Sequence, residues 1–129
     1  MADPLQALVK WERVVNEAMD ATRRFPKHLR PSLGRRLDDA CIEALVRLSE
    51  ARYIPRVSKG EALKEVDQQL ASVRVLLRLA RSRDAVSIKL YQHLSEQVDE
   101  VGRMIGGLRR ASAGSPSDPE PASFRERGV

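Results

Sequence analysis

Between Arg23 and Arg36 the chain carries six positive charges, Arg23, Arg24, Lys27, Arg30, Arg35 and Arg36, and not one acid. Guanidinium and ammonium groups at this density do one kind of chemistry well: they hold phosphate or carboxylate oxygens through charge-assisted hydrogen bonds. A second set, Arg74, Arg78 and Arg81, falls at intervals of four and three, so on a helix the three form one stripe, and Arg83 follows. Groups suited to covalent or metal chemistry are sparse. The residues three before His28 and His93 are Phe25 and Leu90, so neither histidine completes the Glu-x-x-His pair of bundle-type metal sites. The sequence holds no G-x-x-x-x-G-K-[ST] phosphate loop and no H-E-x-x-H zinc helix. Cys41 is the only cysteine, which excludes an intrachain disulfide, and its place in an apolar seam reads as a buried inert thiol. Glu96, Asp99 and Glu100 read as a solvated face that counters nearby cations. No catalytic residue, metal ligand or cofactor site is expected, and the protein reads as a non-enzyme.

Four helices must position these charges. Asp3 as N-cap and Pro4 at the first helical position start a helix over 4–24, whose seam is Leu8, Trp11, Val15, Ala18 and Thr22, and Phe25-Pro26 ends it. Ser32 is placed to cap a second helix over 33–53, with Leu37, Cys41, Ala44, Leu48 and Ala51 inward. Ser58 and Glu61 have the spacing of a capping box for a third over 59–82, with the seam Leu63, Val66, Leu70, Val73, Leu77 and Ala80. The fourth, 87–111, repeats Tyr91, Leu94, Val98, Val101, Ile105 and Leu108 at gaps of three and four. Gly102 and Gly106 sit beside that last seam, where a missing Cβ would let a neighbouring backbone approach closely. From residue 113 onward the chain is rich in proline and poor in apolar residues, and a disordered tail is expected over 113–129.

These helices and their short links predict an all-α, antiparallel up-down-up-down four-helix bundle over residues 1–112. At 42% hydrophobic and 4% aromatic residues, its single core must be aliphatic. The net charge of +5 implies a polyanion or an acidic protein as partner. A lone cysteine, no membrane-length apolar run and an N-terminus unlike a signal peptide point to a cytoplasmic protein with no membrane partner. In the predicted topology the first and third links share an end, which brings Arg23, Arg24, Lys27, Arg30, Arg35 and Arg36 together with Arg78, Arg81 and Arg83, while Arg74 extends the stripe. With so few aromatics, such a surface would read nucleic-acid backbone and shape rather than bases. Ile42 and Val46 point away from the second helix's seam, and Val75 and Leu79 from the third's, which suggests contacts between copies of the chain.

The segments FPKHLRPSLGRRLDDACIEALVRLSEARY, LKEVDQQLASVRVLLRLARS and above all YQHLSEQVDEVGRMIGGLRR resemble the accessory variability determinant (Avd) proteins of diversity-generating retroelements. More distantly, they resemble the four-helix proteins encoded in ribosomal RNA intervening sequences. The resemblance rests mainly on Glu100 to Gly107, with Phe25-Pro26-Lys27 and Leu33-Gly34, and spans about residues 20–110. It implies a basic four-helix bundle that assembles into a homopentamer and works with the element's reverse transcriptase and template RNA, and its DNA copy, during mutagenic copying. Two readings compete with a nucleic-acid-binding adaptor: a purely protein-binding or structural bundle, and a small helical hydrolase.

Overall fold

The computed structural model describes residues 3–113, which form four α-helices: α1 (Leu5–Arg23), α2 (Arg35–Ala51), α3 (Arg56–Ser82) and α4 (Ile88–Ala113). The expected disordered tail lies, apart from residue 113, outside the described residues. A 3-10 turn (Lys27–Leu29) and a π turn (Arg30–Gly34) link α1 to α2.

Polar pairs between the helices fix their order. Along α1 and α2 the partners are Asp3 with Arg52, Trp11 with Cys41 and Thr22 with Asp38. Along α3 and α4 they are Asp67 with Arg109, Arg74 with Asp99 and Arg81 with Val86. Arg47–Glu65 joins α2 to α3, and Lys10–Glu100 and Glu17–His93 join α1 to α4. In each series with several partners, one residue number rises as the other falls, as antiparallel neighbours require.

The helices face inward because their apolar residues recur every three or four positions. All six seam residues predicted for α3 are buried, as are the five of α2. In α4, Leu94, Val98, Val101 and Ile105 are buried, while Tyr91 and Leu108 are half-buried against the core. Trp11 is the largest side chain fully enclosed, and its indole N–H donates to the Cys41 carbonyl at 3.0 Å, so α1 is pinned to α2 without an unpaired donor.

Helix starts depart from the sequence reading in two places. Asp3 does cap α1, accepting from the Leu5 N–H at 2.9 Å. Ser32, in contrast, caps nothing. It lies in the π turn that runs straight into α2, where Arg35 N–H already bonds the Arg30 carbonyl, so the donors a cap would serve are satisfied. The third helix begins at Arg56, not 59. Pro55, extended at ψ 150°, sets that start, and Ser58 N–H bonds the Pro55 carbonyl within the first turn, so the Ser58/Glu61 box is not used as a cap. Ser87 caps α4 through its hydroxyl to the Leu90 N–H at 3.1 Å. Asp84 ends α3 with φ 58°, and Ala85 N–H reaching the Ala80 carbonyl closes a Schellman turn.

Candidate nucleic-acid interface

The α1–α2 link and the α3–α4 link lie at one end of the bundle. Leu29, Ser32 and Leu33 of the first, with Arg36 at the start of α2, line the same groove as Leu76 and Leu79 of α3 and Arg83 just after it. The predicted cations of these links therefore lie toward one end, with Arg36 and Arg83 in one groove, but their employment differs. Arg30 Nε donates to the Phe25 carbonyl at 3.0 Å, and Arg81 Nη1 to the Val86 carbonyl at 2.7 Å. Arg30 closes the link it sits in, and Arg81, in the last turn of α3, closes the link that follows. Arg23 pairs with Asp20 at 3.7 Å and Arg35 with Asp39 at 3.5 Å, both well exposed, where such pairs contribute roughly 0–1 kcal/mol.

Arg24, Lys27, Arg36, Arg78 and Arg83 are exposed and make no side-chain hydrogen bond or ion pair among the described residues. Of the cations predicted for this end, these five are the ones not engaged within the described residues. Lys89, in the first turn of α4 and so at the same end, is exposed and likewise unpaired. It stands alone in the sequence, so no run of charge announced it; its place directly after the third link was the available signal.

Arg74 does not belong to this set. Its Nε lies 3.1 Å from Asp99 Oδ1 across the α3–α4 face. The side chain crosses Gly102, where an added Cβ would come within 2.7 Å of Arg74 Nη2. This corrects the reading of Gly102 and Gly106 as a close backbone approach. Gly102 makes room for a guanidinium, and beside Gly106 the nearest neighbour is Arg110 at 3.5 Å. Arg103 and Arg110 line the same shallow groove as Arg74 and Asp99.

The groups considered for catalysis are placed apart. Cys41 is buried, and that burial, reinforced by the nearby Asp38 charge, pushes its thiol up to about 12, so it stays protonated at neutral pH. His93 is exposed and bonded to Glu17, and His28 is exposed in the 3-10 turn. Asp99 and Glu100 turn to opposite neighbours, Arg74 on α3 and Lys10 on α1. Among the described residues no group of three or more His, Cys, Asp or Glu side chains could hold a metal ion, and no helix is long and apolar enough to cross a membrane. Ile42, Val46, Val75 and Leu79 are between 38% and 55% exposed, so the core of one copy does not cover them.

A family model described as bAvd-like matches residues 6–112, which takes in all four helices almost to their ends. No curated protein matches the chain.

Proposed function

The chain belongs to the bAvd-like family, and on that premise we propose that it is a non-catalytic accessory protein of a diversity-generating retroelement. In this reading it engages the element's template RNA or its DNA copy, together with the reverse transcriptase, in the cytoplasm during mutagenic copying and retrohoming. The observation that carries the nucleic-acid part is the placement of Arg24, Lys27, Arg36, Arg78 and Arg83 toward one end without ion-pair partners among the described residues. A cation already held by a carboxylate gains little from a phosphate, whereas a free one releases the counterions condensed on the polymer. The leucines around these charges offer no π face for bases, so recognition is of backbone and shape.

Self-association, into five copies, would repeat the cationic end and multiply its affinity through avidity. The exposed Ile42, Val46 and Val75 supply apolar surface for it, whereas Leu79 faces into the groove at the cationic end.

The test is affinity for structured RNA and for DNA, measured against salt. Log K should fall steeply with log[salt], and Arg24→Glu with Arg83→Glu should lower affinity at least tenfold and flatten the slope by about 1.5 to 2. Binding that is absent at low salt, or indifferent to these reversals, sinks the nucleic-acid reading. Light scattering on Ile42→Asp tests the assembly: a smaller species than the wild type is expected.

A further inference from the structure

The groove between the α1–α2 link and the last turns of α3 differs in chemistry from the charges around it. Leu29, Leu33, Leu76 and Leu79 wall it, it encloses about 440 Å³, and Arg36 and Arg83 line it as well. We propose that this groove docks a short helical segment of another protein, with leucine-like side chains set between its walls and carboxylates held by Arg36 and Arg83.

Three features favour this occupant over a nucleic acid. Leu79 is 46% exposed within a concavity, so covering it removes apolar surface from water, which a phosphate backbone cannot exploit. No aromatic side chain lines the groove, so an inserted base would find no stacking partner. The volume lies within the range of pockets that enclose a ligand, roughly 300–1,000 Å³, and two to four apolar anchors at helical spacing are the usual content of a helix-in-groove contact. Charge then selects the partner. Arg36 and Arg83 have no carboxylate of their own among the described residues, so an acidic segment satisfies them and a basic one is repelled.

The proposal stands apart from the nucleic-acid reading although it shares two arginines with it, and the experiment separates them. The probe is a fluorescein-labelled helical peptide with leucines on one face and glutamates on the other, compared with the same peptide carrying lysines for glutamates. Anisotropy should show saturable binding of the acidic peptide alone. Ser32 lines the groove, is exposed and makes no side-chain hydrogen bond among the described residues, so Ser32→Trp fills the space without altering charge. It should weaken peptide binding at least tenfold while leaving RNA affinity and oligomer size as in the wild type. Arg36→Glu with Arg83→Glu should weaken both peptide and RNA, and serves if the tryptophan variant misfolds by circular dichroism. Equal binding of the two peptides, or peptide binding unchanged in the folded variants, overturns the proposal. If Ser32→Trp lowers RNA affinity as much as peptide affinity, the groove belongs to the nucleic-acid surface. If instead it dissociates the oligomer, the occupant is a second copy of the chain, and the proposal fails in that way too.

Discussion

The cations around the links at the two ends of the bundle are used differently, although Lys64 and Arg110, toward the α2–α3 end, are exposed and make no side-chain hydrogen bond or ion pair among the described residues. At the end formed by the α2–α3 link, Lys59 Nζ donates to the carbonyls of Ala51 and Arg52 at 2.7 and 3.2 Å, closing the last turn of α2. Arg52 stacks on Tyr53 and lies 3.6 Å from Asp3, and Arg56 reaches the Ala111 carbonyl. Each of those cations satisfies a group of its own chain. At the other end, Arg30 and Arg81 do the same work for the links, and six further cations, Lys89 included, have no such partner among the described residues. Positive charge is thus a poor indicator of a partner surface until pairing is known, because a helix end consumes cations to satisfy its orphan carbonyls.

If the cationic end is only a surface resting on a core common to both ends, then damage to that core should leave its chemistry intact. Leu77, at 2% exposure near the cationic end, tests this. Leu77→Ala should lower unfolding free energy by about 2–5 kcal/mol in urea titration. The RNA affinity of the molecules still folded should not move. A loss of affinity alongside unchanged stability would show that the end is built differently from the rest of the bundle.

How much of this was legible beforehand follows from what each feature depends on. The seam of α3, Leu63 to Ala80, was readable because burial of a helix face is a matter of period, and the period is in the sequence. The start of α2 was not, because Ser32 has the right side chain for a cap, yet the π turn before it had already bonded the backbone groups a cap would serve. The basic run was visible as charge. Its division into Arg30, which bonds a carbonyl, Arg35, which faces Asp39, and Arg36, which faces solvent, depends on where each side chain lands in three dimensions. The spacing of Gly102 suggests a backbone neighbour, whereas the structure places the Arg74 side chain there, since spacing shows that a Cβ is missing but not what fills its place.

The employed end should be the more costly to disturb. Lys59→Met keeps the aliphatic stem but removes both bonds to the α2 carbonyls, and should destabilise the fold by about 1–3 kcal/mol. Lys27→Met at the other end should change it by less than about 0.5 kcal/mol while weakening RNA binding. Paired thermal melts decide the point, and equal costs at the two ends would remove the distinction drawn between them.

Gly102→Ala offers a smaller effect, in the opposite direction. The new Cβ meets only the far end of a flexible side chain, so Arg74 swings away from Asp99. Alanine gains about 1 kcal/mol of helix propensity, against roughly 0.2–1 kcal/mol for a half-exposed ion pair, so stability should rise slightly or hold. The variant also frees a cation away from either end. A modest gain in RNA affinity is expected if unpaired cations are what bind, and a loss would mean that Arg74 acts through its pairing.

The finest adjustment concerns the acid closest in kind to the cationic end. Asp38, in the first turn of α2, accepts from the Thr22 hydroxyl at 2.8 Å and so ties the end of α1 to the start of α2. Burial raises its pKa above the ordinary 3.8 and Asp39 raises it further, the Thr22 bond opposing both. For a carboxyl raised in the folded state, the favourable contribution is present below the unfolded pKa and is lost as pH climbs through the folded one. Asp38 therefore supports the fold less at neutral pH than in acid. Asp38→Asn keeps an oxygen to accept from Thr22 but cannot ionise, so its stability relative to the wild type should improve as pH rises from below 3.8 toward neutrality. Denaturant titrations at both extremes check this, with Asp39→Asn, whose carboxylate is exposed and paired with Arg35, as the comparison. A difference that is flat in pH, or that runs against the variant, would mean that the Thr22 bond outweighs burial at this carboxyl.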